Sequence, residues 1–179
     1  QLRLAFVYAT GRGVARDDAE AVRWWRLAAD QCDTTTQTNL GVMYDKGQSM
    51  ANDAVEARAW SRLVADCGNI DANYALGVMC SEGEGGEQDD AEAIRRWQLV
   101  AEKGHALAQF RLGWVYYAGR GVQWDEAEAV RWWRLAAEQG HAEAQATLGE
   151  MYAAGEGVPP DVAEAVRWYR AAAEQGHAE

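Results

Sequence analysis

Basic residues are scarce in this chain: 17 Lys and Arg stand against 28 Asp and Glu, a formal charge of −11 over 179 residues. That deficit disfavours attraction to phosphate backbones and anionic lipid, since both scale with the number of cations that can be brought against phosphate. Nucleic acid and membrane surfaces are therefore not expected as partners. An acidic surface instead confers solubility and steers basic partners. Long apolar runs are also missing: no stretch of about 18 apolar residues occurs, so no transmembrane helix is expected in this segment.

Cysteine is sparse as well. Cys32, Cys67 and Cys80 are an odd number, which argues against a complete disulfide framework. Neighbouring helix axes lie about 8–10 Å apart, whereas disulfide Cα atoms need to approach within about 7 Å. Cys32 and Cys67 fall almost in phase in adjacent units of the repeat set out below, so the expectation is three reduced, structural thiols, which favours a reducing compartment. Catalytic signatures are absent too. There is no serine nucleophile elbow, no HExxH and no paired CxxC, and no nucleophile with a base can be named. The expectation is a non-enzymatic chain with no cofactor.

What the chain does contain is a period. Leu4, Leu40, Leu76, Leu112 and Leu148 recur every 36 residues, each opening a variant of one phrase. A chain of this length with 49% apolar residues could otherwise be an ordinary globular domain burying about 70% of its unfolded surface. A period of this length instead marks a helical solenoid, whose core is a ribbon and whose units touch only their neighbours. Counted from the leucines, the units are 1–39, 40–75, 76–111, 112–147 and 148–179. Gln1 falls inside a unit and Glu179 stands where another would begin, so the chain reads as an excerpt of a longer array.

Within a unit the first helix runs from about five residues before the leucine to about six after, with Ala108, Leu112, Val115 and Tyr116 on one face. The residue after the leucine is small: Ala5, Gly41, Gly77, Gly113 or Gly149. Glycine there costs about 1 kcal/mol of helix propensity, so its return in phase points to close packing. Gly11, Gly47, Gly83, Gly119 and Gly155 stand where the helix end needs a left-handed residue. Asp17, Asp53, Asp89, Asp125 and Asp161 then open the second helix as N-caps, each accepting from first-turn amides. Glu20 and Arg23, Glu128 and Arg131, and Glu164 and Arg167 form i,i+3 pairs worth a few tenths of a kcal/mol. The result is an array of αα-hairpins. The second unit is the most degenerate, with Gln48, Ser49 and Met50 in place of the usual turn.

These residues resemble the Sel-one-like repeat family of the tetratricopeptide superfamily. The match runs through Ala108, Leu112, Gly113, Tyr116, Gly119, Gly121, Val122, Asp125, Ala129, Trp132, Trp133, Ala136, Ala137 and Gly140, and extends over essentially the whole chain. The resemblance implies an all-α, right-handed α/α superhelix whose first helices line a concave surface. It also implies an adaptor that assembles protein complexes, with the chain working inside a larger assembly. Some bacterial relatives carry regular disulfides in each unit; the three cysteines here do not repeat that pattern.

On the face of the first helix opposite the leucine stripe, polar residues are expected. Tyr74, Val78, Phe110, Trp114 and Tyr117 stand there instead, at positions that contact ligands in tetratricopeptide relatives. Tyr and Trp dominate binding hot spots, so these five are candidate partner-binding residues, flanked by Val42 and Lys46 on one side and Glu150 on the other. The competing reading is that Phe110 and Trp114 pack against the adjacent unit. Trp24, Trp25, Trp60, Trp97, Trp132, Trp133 and Trp168 recur on second helices and read as core. Trp124, in a turn, fits neither role.

His105, His141 and His177 recur in phase, but stacked units lie too far apart to bring them within about 2.1 Å of one metal ion. They read as turn or cap residues, and no metal site is expected. The glycine runs follow helices in several copies, unlike a phosphate loop, which follows a strand. The leading expectation is a scaffold for a protein or peptide segment, the more so for a basic one. A glycan-binding or envelope-assembly module is the alternative, and helical-repeat RNA binding is set against by the charge.

Overall fold

A computed structural model describes residues 64–176 continuously, together with residues 4, 7, 8, 11–15, 17, 20, 23, 24, 27, 58, 61 and 62. The expectations for Cys32, Val42, Lys46, Gly47, Asp53, Trp25, Trp60, His177 and the degenerate turn at Gln48 lie outside the described residues. Among the described residues every regular element is helical. The chain divides into two compact units, Gln1–Gln88 and Asp89–Glu179, and each is described by itself.

In the first unit, α1 spans Ile70–Glu82. Asn69 caps it by accepting from the Ala72 amide at 2.8 Å, and Gly83 closes it in the left-handed region at φ 72°. Leu76 and Cys80 are buried, as are Val64 and Ala65 just upstream. Arg58 donates to the Glu87 carbonyl at 2.9 Å and to Cys80 Sγ at 3.3 Å, tying the segment after α1 to an earlier helical residue. Asp17 caps a helical turn as expected, accepting from the Glu20 amide at 3.0 Å, and Gly11 has a positive φ of 65°.

One expectation fails here. Cys80 is a free, buried thiol, but Cys67 is disulfide-bonded. The spacing used against bridging is a distance between helix axes, whereas Cys67 lies in the turn beyond a helix end, where the backbone leaves the axis and the axis spacing no longer bounds the approach. The argument from three reduced thiols to a reducing compartment falls with it.

The second unit alternates second and first helices: α2 Asp90–Ala101, α3 Ala106–Ala118, α4 Glu126–Glu138, α5 Ala142–Ala154 and α6 Val162–Ala173. Asp89, Asp125 and Asp161 cap α2, α4 and α6 by accepting from Glu92, Glu128 and Glu164 at 2.9, 2.9 and 3.1 Å. Gly119 and Gly155 end α3 and α5 in the left-handed region. The Glu–Arg pairs form as the spacing predicts, at 2.5 Å for Glu128 with Arg131 and 3.2 Å for Glu164 with Arg167. His105 and His141 are N-caps: each Nδ1 accepts from the amide three residues on, at 3.1 and 3.2 Å.

The core of this unit gathers Ala129, Val130, Trp133, Ala136, Ala137, Ala144, Leu148, Met151 and Trp168. Small residues set its spacing. A Cβ on Gly113 would sit 2.2 Å from Trp133 Nε1, and one on Gly149 would sit 2.8 Å from the Tyr169 ring, so each of these two glycines is the seat of the aromatic 20 residues later. Glycine is kept there for contact, despite its cost in a helix interior.

Two sets of ties hold successive hairpins in register. The turn of one hairpin lies on the second helix of the hairpin before it: Arg120 pairs with Asp90 at 2.9 Å, and the Gly157 amide donates to the Glu126 carboxylate at 3.1 Å. A buried amide side chain on each first helix donates to the preceding helix end, Gln109 to the Ala101 carbonyl at 2.9 Å and Gln145 to the Ala137 carbonyl at 3.0 Å. Each glutamine oxygen in turn accepts from the next second helix, from Gln139 at 2.6 Å and Gln175 at 2.8 Å. In the first unit Asn73 makes the corresponding bond to the Ala65 carbonyl at 2.8 Å. Buried amides that satisfy both donor and acceptor fix alignment more sharply than apolar contact does.

Candidate partner-binding face

The aromatic residues singled out on α3 are brought together, but in different states. Phe110 is half-buried and stacks on His141 at a ring separation of 4.6 Å, against the N-cap of α5. Tyr117 is also half-buried and donates from its hydroxyl to Glu156 at 3.1 Å, in the turn after α5. Both thus make contacts with the neighbouring hairpin. Trp114 remains 44% exposed.

Its orientation is nonetheless fixed. Trp114 makes edge contacts with Phe110, Tyr117 and Trp133, at ring separations of 6.3, 5.8 and 5.2 Å. Trp133 beneath it is wholly buried, held over Gly113. Edge-to-face pairs of this kind contribute roughly 0.5–1.5 kcal/mol beyond area burial, enough to hold an exposed indole in one pose. Leu107, two turns earlier on the same face of α3, is 45% exposed and extends the apolar surface.

Carboxylates surround the Tyr117 end of this face, while Arg111 is exposed on α3 three residues before Trp114. The hydrogen bond to Glu156 raises the Tyr117 hydroxyl pKa above its ordinary value, with the Glu156 charge, burial, and the charges of Glu126 and Glu150 adding to it. Glu150 is exposed on α5, at the register position that Trp114 holds on α3. Tyr169 shifts upward as well, from burial first and Glu150 second. Sequence reasoning included Glu150 but missed Glu126 and Glu156, which reach the face from turns and helix starts that no helical period marks.

Tyr74 and Val78 are half-buried on α1 in the first unit, at the register positions of Phe110 and Trp114. Val42 and Lys46 lie outside the described residues. Trp97, Trp132, Trp133 and Trp168 are buried, as expected of core, while Trp124 is 59% exposed in the turn before α4. Among the described residues no group of three or more His, Cys, Asp or Glu could hold a metal ion, and no helix is long and apolar enough to cross a membrane.

The Sel1 repeat model matches five times, at residues 1–31, 35–69, 70–105, 106–141 and 142–177. These frames begin at the first helix, and so precede the leucine frame by six residues at 70, 106 and 142. Among solved structures, a protective antigen of uropathogenic Escherichia coli with an SLR fold is 32% identical, with TM-score 0.78 over 98% of this chain and 38% of its own. A Sel1 repeat protein of Oxalobacter formigenes is 33% identical, also at TM-score 0.78, over 98% of this chain and 72% of its own. A Klebsiella pneumoniae protein at 22% identity and TM-score 0.51 shares the fold alone. This chain therefore spans well under half the length of the Escherichia coli antigen. No curated protein matches it in sequence. With five matched repeats over nearly its full length and an all-α architecture of capped hairpins, this chain belongs to the Sel1 repeat family.

Proposed function

We propose that this chain is a non-catalytic scaffold that holds a segment of a protein partner against the aromatic face of α3. Sel1 repeat proteins are in general protein–protein interaction scaffolds. The observation that supports this face in particular is Trp114, held 44% exposed by three aromatic neighbours. A large indole kept rigid and wet at one end loses little entropy on docking and brings a large contact area, the character of a hot-spot residue. Phe110 and Tyr117 serve the face by holding it to the next hairpin. Glu150 lies at its edge, and Tyr74 and Val78 hold the corresponding sequence positions on α1.

RNA recognition would need a basic groove, which the charge of −11 opposes. Glycan binding has the exposed indoles Trp114 and Trp124 in its favour. The test is capture of the partner from the native source by the wild-type chain and by Trp114→Ala. Trp114→Ala is expected to release the partner, a loss of about 2 kcal/mol or more, with the circular dichroism spectrum unchanged. Retention of the partner by a folded Trp114→Ala variant overturns the assignment of this face.

A further inference from the structure

We infer that the α3 face takes a cationic side chain: the guanidinium of an arginine, or a lysine ammonium, seated on Trp114 and Tyr117 and faced by Glu150 and Glu156. This rests on the scaffold reading and specifies the chemistry that the face selects.

The argument begins with the rings. A cation is drawn to the negative face of an indole or phenol within about 6 Å of its centroid, and Trp is the strongest such partner. Trp114 and Tyr117 meet edge to face, with centroids 5.8 Å apart and planes at 87°. Two rings at a right angle form a corner, in which one cation meets the negative face of one ring while staying clear of the positive edge of the other. Trp133 and Phe110 fix Trp114 from other sides, leaving the exposed part of its indole as the open wall of that corner.

Charge complementarity then selects the occupant. Glu156 is at the corner, accepting from the Tyr117 hydroxyl at 3.1 Å. Glu126 lies next to it, its carboxylate accepting from the Gly157 amide at 3.1 Å. Glu150 stands exposed on α5 at the register of Trp114. The charges of Glu156, Glu126 and Glu150 all act on the Tyr117 hydroxyl. An anionic or purely apolar segment would leave these carboxylates facing like charge or desolvated, whereas a guanidinium stacks on the ring and pairs with them at once. Arg131 over Trp132 at 4.4 Å and Arg167 over Trp168 at 5.1 Å show the same ring–guanidinium pairing within the chain. Among the described residues no guanidinium lies over the Trp114 ring.

The test uses an oligoarginine peptide and its citrulline counterpart, which keeps the planar shape but replaces the charged guanidinium by a neutral ureido group. The readout is the indole N–H resonance of Trp114, assigned by its disappearance in Trp114→Phe. Oligoarginine is expected to shift this resonance in a saturable way, and the citrulline peptide to leave it in place. Trp114→Ala, which keeps the net charge, is expected to weaken oligoarginine binding by about 3- to 10-fold, and Glu150→Gln by about 2- to 5-fold. Circular dichroism on each variant checks that the helices persist, and Trp114→Phe, which retains a ring, is expected to fall between wild type and Trp114→Ala. Equal binding of the citrulline peptide, or full affinity in folded Trp114→Ala and Glu150→Gln, overturns the inference. The two readings fail separately: a captured partner that depends on Trp114 but is not displaced by oligoarginine leaves the scaffold standing and removes the cation site. Saturable, charge-dependent binding of oligoarginine at Trp114 supports the cation site even where capture fails.

Discussion

At the scale of single residues, the glycines after the repeat leucines show how one missing methyl group sets a whole hairpin. Trp133 is wholly buried over Gly113, while Tyr169 over Gly149 is 40% exposed. Gly113→Ala is therefore expected to destabilise by about 1–3 kcal/mol, because a buried indole has nowhere to move. Gly149→Ala is expected to be close to neutral, since an exposed ring swings aside and alanine restores about 1 kcal/mol of helix propensity. Denaturant melts of the two variants check the contrast, and equal losses would refute the account. Tyr117 offers a second check. Its folded pKa lies above the ordinary value near 10, chiefly through the bond to Glu156. Its contribution to stability is thus fully present below that ordinary value and is lost as pH rises through the higher folded value. An ultraviolet difference titration against Tyr117→Phe is expected to show late ionisation, and Glu156→Gln to bring it earlier.

At the scale of elements, capping makes each helix begin where it does. His105 and His141 both cap through Nδ1, and His141 also carries the Phe110 ring. His141→Ala is expected to cost about 1–2 kcal/mol in thermal or denaturant melts, since the cap and the stacked ring are lost together. The caps also show what a linear chain can reveal. Asp89, Asp125 and Asp161, the left-handed Gly119 and Gly155, and the Glu–Arg pairs were all readable, because each acts on backbone or side chains within four residues. The amide ties were not. Gln109 reaches Ala101 across a turn and Gln139 across 30 residues, and a glutamine on a helix otherwise reads as a solvated residue. The α3 face was half legible: the helical period placed Phe110, Trp114 and Tyr117 on one side, but nothing local distinguished the two that lean on the next hairpin from the one left in solvent. The disulfide at Cys67 escaped for a related reason, since phase alone says nothing of how the chain runs beyond a helix end.

At the scale of the whole molecule, stability in an array is a sum of unit and interface terms. In α2 and α4 the residues at the start of the helix receive the following turn, as Asp90 and Ile94 meet Gly121 and Glu126 meets Gly157. In α6 the corresponding stripe, Val162, Val166 and Tyr169, is uncovered among the described residues, with Val162 74% exposed. Fusing one further two-helix unit of the same phrase after α6 is expected to raise the melting temperature and lower the exposure of Tyr169 to quenchers; no gain would refute nearest-neighbour packing here. The two kinds of tie between hairpins also respond differently to their surroundings. The Arg120 to Asp90 pair is partly exposed and weakens as salt rises. The links through Gln109 and Gln145 carry no net charge and have nothing to titrate. Salt that loosens a cationic guest from its carboxylates would leave these amide links intact, so the part of the frame's alignment that they set does not depend on the charges that hold the cargo.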